Sequence, residues 1–226
     1  MKKLSIIIPV YNERATIEAL LSSVSDQKLV GFEKEIIVVD DGSTDGTGEI
    51  LKKWEKEAKI IYQKNNVGKG SAIVRGLQIA KGEIIIIQDA DLEYSPTDYP
   101  ILLKPFENPR VFVVYGSRFL GAHLSTMFVY ELGNKFVTFL TNVLYNTNIT
   151  DMETGYKVFR IDVLKGITIN ARRFDFEPEF TAKVLKAGYQ IYEVPISYYG
   201  RKFSEGKKLT WKDGITAVWM LIKCRV

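Results

Sequence analysis

Two aspartates separated by a single alanine, Asp89 and Asp91 in EIIIIQDADLE, are the residues of this chain best placed to hold a hard cation. Four isoleucines precede them, and a β-branched run of this kind predicts a strand buried on both faces, from Glu83 to Gln88, that ends where the carboxylates begin. In extended chain, residues two apart share a face with Cα atoms roughly 6.5 Å apart, so both carboxylates converge while Ala90 turns away. Left uncompensated, the pair would repel and one member would keep its proton, which makes Mg²⁺ or Mn²⁺ the natural partner. The same aspartates could equally serve as loop and helix-cap residues, since an isolated Asp-x-Asp is short and common.

Such groups need a scaffold that brings several strand ends to one edge. Short β-rich runs at Leu4 to Val10, Glu35 to Asp40, Lys59 to Gln63, Glu83 to Gln88 and Val111 to Ser117 alternate with helical patterns. The helical patterns span Thr16 to Ser25, Thr47 to Lys56, Lys69 to Ala80 and Thr97 to Asn108, with Thr44 and Asp45 as candidate caps of the second. The alternation predicts an α/β fold, a mainly parallel sheet flanked by helices on both faces. After Ser117 come an apolar helical segment (Met127 to Tyr145), a polar turn (Asn146 to Glu153), a strand (Tyr156 to Arg160), a helix (Glu177 to Ala187), a strand (Gln190 to Val194) and a helix from about Thr210. This second half is expected to be an extension packed against the first, the whole forming a single domain over residues 1–226.

Ligands of open parallel sheets bind beyond the carboxyl ends of the strands. Here those ends carry PVYNE (9–13), DDGSTDGT (40–47), NNVGKG (65–70) and the paired aspartates. For a nucleotide, Tyr11 can pack beside a base, Asp40 or Asp41 can accept an imide hydrogen, and Glu13 can reach ribose hydroxyls. Lys69, between two glycines at a helix start, could meet an anion together with the free amides there. Taken singly, DDGST also fits an ordinary turn with a cap, and NVGKG lacks the spacing of a P-loop.

Composition removes other classes. A net charge of +4 is too small to argue for nucleic acid, and no run reaches the roughly 20 apolar residues of a membrane span. One cysteine, Cys224, excludes an internal disulfide; one histidine, His123, excludes a His-based zinc cluster; both are assigned to surface or packing roles. A cytoplasmic protein is expected. No GxGxxG follows the first strand, which disfavours a dinucleotide-dependent oxidoreductase.

Taken in order, PVYNE, VVDDGSTDGT, NVGKG, QDADLE and GSR, followed by DMETGYKVF (151–159), FDFEPEF (174–180) and EVPISYYGRKFSEGKKLTW (193–211), resemble the family 2 glycosyltransferases of GT-A fold. The resemblance covers nearly the whole chain and is to the branch typified by polyprenyl- or dolichyl-phosphate mannose and glucose synthases. It implies a Rossmann-like GT-A domain with a nucleotide-sugar-binding half (1–118) and an acceptor-side extension (119–226). It implies that Pro9, Tyr11, Glu13 and Asp41, with Asp40 beside them, hold the donor nucleoside, Ala90 lying between donor-side aspartates. Asp89, Asp91 and Glu93 would bind the metal, and Arg118 and Arg201, with Ser204 and Lys207 or Lys208 nearby, would contact donor or acceptor phosphate. Relatives often carry Gln where this chain has Glu93.

The resemblance implies transfer of a hexose, with inversion, from a GDP-mannose or UDP-glucose type of donor to a polyprenyl phosphate. A phosphomonoester with a second pKa of about 6 is largely dianionic at neutral pH and needs no base, whereas a saccharide or protein hydroxyl acceptor would need Asp151, Glu177 or Glu179. The Glu-Asp base pair usual in the family is missing from FDFEPEF, although Glu177 and Glu179 also suit the first turn of a helix, with Pro178. The apolar stretch from Phe128 to Asn146 reads as core by periodicity; by resemblance it faces the lipid and, with the region from Trp219 to Arg225, would give peripheral membrane contact. Many relatives carry carboxyl-terminal membrane helices, absent before Val226, so permanent anchoring is not expected. A decayed fold acting as a nucleotide-binding scaffold is the non-enzymatic alternative.

Overall fold

The computed structural model describes residues 1–121, 128–200 and 211–226, the side chains of 211 and 212 apart; His123, Arg201, Ser204, Lys207 and Lys208 lie outside the described residues. Seven strands form one sheet: β1 (Lys2–Val10), β2 (Phe32–Asp40), β3 (Lys59–Tyr62), β4 (Ile84–Ile87), β5 (Val113–Ser117), β6 (Lys157–Arg160) and β7 (Ile191–Pro195), in the spatial order β3-β2-β1-β4-β6-β5-β7. All neighbours pair in parallel except β6, which runs antiparallel to both β4 and β5. The chain moves outward from β1 through β2 to β3 and then returns to the other side of β1 with β4. PVYNE and the paired aspartates therefore flank the point where strand order reverses, the crevice of a doubly wound sheet.

Helices α1 (Ile17–Asp26), α2 (Thr47–Lys52), α3 (Lys69–Ile79), α4 (Tyr99–Leu103), α5 (Phe128–Tyr145), α6 (Phe176–Lys186) and α7 (Trp211–Arg225) complete the fold. The isoleucine run is buried throughout, and its alternate residues feed two different cores. Ile84 and Ile86 pack with Ile6, Ile8, α1 and the Tyr99–Phe106 region; Ile85 and Ile87 pack with Ile7, Ala72, Ile73 of α3 and Phe176 and Phe180 of α6. A third, smaller cluster joins α5 to α7 through Val137, Ala217 and Leu221.

Two expectations need correction. The helix read over Thr97 to Asn108 is broken into a 3-10 turn at 96–98, α4, and a second 3-10 turn at 104–107, because Pro96, Pro100 and Pro105 each remove an amide donor. The second half is also more than an extension laid against the first: β6 is inserted between β4 and β5, and β7 closes that edge of the same sheet. Because β6 is antiparallel, its amino-terminal end meets the carboxyl ends of its neighbours, and this carries DMETGYK to the crevice.

At the opposite end of the sheet, Glu35 accepts from Lys59 Nζ at 2.5 Å, Ser5 Oγ at 2.5 Å and the Lys81 amide at 2.8 Å, with Lys3 Nζ at 3.4 Å. Burial alone would raise its pKa, but the bonds from Lys59, Ser5 and Lys81 bring it down to about 2, against 4.5 for the free side chain. A carboxylate whose folded pKa is depressed stabilises above its unfolded pKa and loses that contribution as pH falls through the folded one. Glu35→Gln is therefore expected to lose roughly 3 kcal/mol at pH 7 and little near pH 2 in urea unfolding. Equal losses at both pH values would contradict this assignment.

Candidate active site

The ends of β1 and β2 are laced together by short polar side chains. The Asn12 amide donates to Ser43 Oγ at 2.9 Å, Asn12 Oδ1 accepts from the Thr44 amide at 2.8 Å, and the Glu13 amide donates to Thr47 Oγ1 at 3.0 Å. Asn12 takes a positive φ of 51°, which an Asn side chain tolerates better than most. The cap position of α2 falls on Gly46, not on Thr44 or Asp45 as expected, because the chain turns there with a φ of 97°; Asp45, one residue earlier, accepts from the Thr47 amide through Oδ1 at 3.0 Å. Asp40 is buried and accepts from the Ser43 amide at 2.9 Å. Asp41 reaches across to the next strand's loop, taking Gln63 Nε2 at 3.2 Å and the amides of Val67 and Gly68 at 2.9 and 2.7 Å. Burial raises the Asp41 pKa; the bonds from Val67 and Gly68 work against it, and the Asp40 charge adds to it. Tyr11 is partly buried beside these loops, while Glu13 is buried, its Oε2 accepting from Thr16 Oγ1 at 3.0 Å. Pro9 is an interior residue of β1, opposite Val39.

NVGKG does something other than present free amides. The amides of Gly70 and Ser71 donate to the carbonyls of Arg173 and Arg172, both at 2.9 Å. A Cβ at Gly68 would lie 2.4 Å from the Arg172 carbonyl oxygen, and one at Gly70 would lie 2.8 Å from the Ala171 carbonyl carbon. The two glycines thus let the start of α3 press against the 171–173 segment, and the charge is left to Lys69. Its Nζ bridges Asp89 Oδ1 at 2.7 Å and Glu177 Oε1 at 2.8 Å. Burial works against the ammonium, but Asp89 and Glu177 together raise its pKa well above the usual lysine value.

The paired aspartates lie in a turn, not in extended chain. Asp91 Oδ1 accepts from the Glu93 amide at 3.1 Å, and Leu92 holds a φ of 62°, a left-handed conformation that is costly for a leucine. Beneath them Gln88 is fully buried; its Oε1 accepts from the hydroxyls of Tyr99 and Tyr156 at 2.8 and 2.7 Å, and its Nε2 donates to the Asp89 carbonyl at 3.0 Å. Glu93 accepts from Tyr198 Oη at 2.6 Å, which ties the turn to the segment after β7. The decisive neighbour of Asp89 is Gly155. A Cβ there would sit 2.3 Å from Asp89 Oδ2 and 3.0 Å from the Tyr94 ring, so only glycine leaves that oxygen room. Among the described residues no three Asp, Glu, His or Cys side chains converge as a ready-made cage.

Arg118, just past β5, is held by a two-pronged ion pair: Nε donates to Asp151 Oδ2 and Nη2 to Asp151 Oδ1, both at 2.7 Å, and the Arg118 amide donates to Oδ2 at 3.0 Å. Asp151 is fully buried, so both of its oxygens are spent on Arg118, and it positions the guanidinium in place of waiting as a base. Burial opposes the charge on Arg118, and Asp151 more than restores it. The Arg118 guanidinium also lies 5.3 Å from the centre of the Tyr198 ring. Glu177 and Glu179 are likewise engaged, the first with Lys69 and the second with Lys183 and the Asn170 amide.

Sequence reasoning named Asp40, Asp41, Lys69, Asp89, Asp91, Arg118 and Asp151, and the fold gathers them at one edge. It passed over Gly155, Tyr94, Lys157 and Glu153, although all but Tyr94 lie in DMETGYK; a β6 recognised as antiparallel would have pointed to them. Lys157 is fully buried, its Nζ donating to the carbonyls of Met152 and Thr154 at 2.8 and 2.7 Å and lying 4.3 Å from the centre of the Tyr115 ring. Removing one partner of a buried ion pair leaves the other charge uncompensated, so Asp151→Asn should lose roughly 3–5 kcal/mol in denaturant unfolding, with the Arg118→Met, Asp151→Asn double variant losing less than the sum. Strict additivity would show that the pair is not coupled.

Similar proteins bear on this geometry. The family model for glycosyl transferase family 2 matches residues 5–168. A dolichol-phosphate mannosyltransferase of Pyrococcus furiosus is 31% identical over 212 residues, which are 91% of this chain and 59% of that protein, so the chain spans less than two thirds of that relative. An undecaprenyl-phosphate mannosyltransferase of Micrococcus luteus is 26% identical, over 89% of this chain and 85% of that protein. Among solved structures, glucosyl-3-phosphoglycerate synthase from Mycobacterium tuberculosis in complex with Mn²⁺, uridine diphosphate and glucosyl-3-phosphoglycerate superposes with a TM-score of 0.76 at 20% identity, covering 99% of this chain and 80% of that one. At that identity the likeness shows the fold. With the family pattern matched over most of its length and the sheet that goes with it, this chain belongs to glycosyl transferase family 2 and has the GT-A fold.

Proposed function

We propose that the protein transfers a hexose, with inversion, from a nucleotide sugar of the GDP-mannose or UDP-glucose type to a polyprenyl phosphate, using Mg²⁺ or Mn²⁺. The observation that carries the choice of acceptor is the outer face of α5. Phe128, Val129, Leu132, Phe136, Phe139 and Val143 are all more than half exposed and recur at helical spacing, while the inner face buries Val137, Thr138 and Thr141. The amphipathicity is inverted, with an oily stripe outward. α7 continues it with exposed Ile215, Trp219 and Ile222. The inner face of α5 meanwhile buttresses the site, Thr138 Oγ1 accepting from the Met152 amide at 3.1 Å, next to Asp151, while the exposed Lys135 lies over the Phe119 ring beside Arg118. A lipid held along the stripe would have its phosphate near Arg118. No described helix is long and apolar enough to cross a membrane, so the contact proposed is peripheral.

Asp89 and Asp91 suit a hard dication: both offer carboxylate oxygen, and the missing side chain at Gly155 leaves Asp89 Oδ2 its room. Magnesium characteristically takes one or two carboxylates and completes its shell with substrate phosphates, which fits the absence of an all-protein cage among the described residues. When bound, the dication would neutralise charge on the departing diphosphate. The protein's own residues do the rest. Asp41 and Asp40 fix the loops around the nucleoside, with Pro9, Tyr11 and Glu13 beside them. Arg118, locked by Asp151, offers a fixed positive charge to a phosphate, and Lys69 offers a second from the other side. Arg201, Ser204 and Lys207 are assigned to phosphate contact on the family pattern. A dianionic acceptor phosphate attacks without a base, which matches the commitment of Asp151, Glu177 and Glu179 to cations.

Incubation with nucleotide sugar labelled in the sugar and a polyprenyl phosphate should move the label into the organic phase; label moving only to water-soluble glycans would reverse the acceptor assignment. In the same assay Asp91→Ala should lower turnover at least about 100-fold. Undiminished turnover in that variant would remove the metal from the mechanism. Phe136→Glu combined with Phe139→Glu should abolish co-sedimentation with anionic vesicles while leaving the unfolding midpoint in urea unchanged, since both side chains are exposed.

A further inference from the structure

Among the described residues, buried charges of both signs gather at the sheet edge. Lys69, Arg118 and Lys157 stand against Asp89, Asp151 and Glu177, three charges of each sign linked by ion pairs or mutual fields. Glu153 lies among them. Its Oε1 is sealed from solvent and has no hydrogen-bond partner among the described residues. The described elements around it bring charge: Glu177 from α6, Lys157 from β6, Arg118 from the end of β5 and Asp151 from its own loop, with Lys69 of α3 and Asp89 behind Glu177. A buried polar atom left unsatisfied among so many paired charges points to a partner supplied by a ligand.

We propose that Glu153 works as a neutral carboxylic acid and donates its proton in a hydrogen bond to a phosphate oxygen of the bound substrates. This rests on the transferase reading above. The carboxyl is poised for it: burial, then the nearby Glu177 carboxylate, push its pKa up, with Lys157 and Arg118 opposing. A phosphate brought in by Arg118 and Lys69 adds negative charge and raises it further, so the protonated acid is favoured in the complex. The step is a proton uptake with no covalent change, the proton coming from solvent and resting between Glu153 and the phosphate. A carboxyl serving as general base to a sugar hydroxyl would have to be ionised in the complex, which is the opposite state.

The sign of the linkage follows. Phosphate affinity falls as pH rises through the raised carboxyl pKa, because the free protein must then first take up a proton. Calorimetric titration at pH 7.5 in two buffers of different ionisation enthalpy counts the protons. Uridine or guanosine diphosphate with Mn²⁺ forms one arm and geranyl phosphate the other. Net proton uptake is expected in at least one arm, identifying which phosphate Glu153 meets, and Glu153→Gln should remove it and flatten the pH dependence of that affinity above about pH 7, where the phosphates are already fully charged. Phosphate binding with buffer-independent heats in the unaltered protein, or the same uptake in Glu153→Gln, would overturn the proposal while leaving the transferase reading intact. Failure of both ligands to bind would overturn the two together.

Discussion

Compensation of buried charge is the constraint on which this site depends. Carboxylates crowd one end of the sheet because loops of parallel strands converge there, and each would otherwise protonate or repel its neighbour. Lys69 answers for two of them at once, joining Asp89 on β4's turn to Glu177 at the head of α6. Arg118 and Asp151 answer for each other through a planar, two-pronged contact that also sets the orientation of the guanidinium. These pairs come from elements far apart in sequence, so the electrostatics of the edge and the packing of α3, α6 and the β5 end are a single problem.

The insertion of β6 between β4 and β5 gives that problem its solution. An antiparallel strand delivers its beginning where its parallel neighbours deliver their ends. Asp151, Glu153, Gly155 and Lys157 are thereby placed beside the loops that follow β4 and β5 although they belong to the second half of the chain. Gly155 shows how fine the fit is: a methyl group there would collide with Asp89 Oδ2. The glycines of NVGKG serve a similar end on the other flank, bringing α3 close enough to the 171–173 segment for Lys69 to span its two partners.

Much of this was legible beforehand because the signals were local. Strand and helix positions followed from β-branched runs and helical spacing, and boundaries came within a few residues except where Pro96, Pro100 and Pro105 broke a helix into short turns. Asp89, Asp91, Lys69 and Arg118 stood out as charged residues at strand and helix ends. What could not be read was pairing across the sheet. That Asp41 would bind the Val67 and Gly68 amides, or that Asp151 would spend itself on Arg118, depends on tertiary neighbours about 26 and 33 residues away. The turn at Asp91 and Leu92 likewise replaced the extended geometry inferred from the preceding strand, because the chain must bend at once to place Tyr94 and Tyr99 in the core.

α5 has a cost built into its orientation. With Phe136, Phe139 and their neighbours turned outward, the helix gains little from burying apolar surface and is held largely by polar ties: Asn142 to both backbone groups of Ile149, Thr138 to Met152, and Tyr145 Oη to the Leu221 carbonyl at 2.7 Å. Ties of this kind open more readily than an isoleucine core. In dilute aqueous solution the amides of this helix should therefore trade deuterium sooner than those of β1 and β4, and a hydrophobic film laid against its outer face would slow that trade by supplying the burial the protein itself withholds.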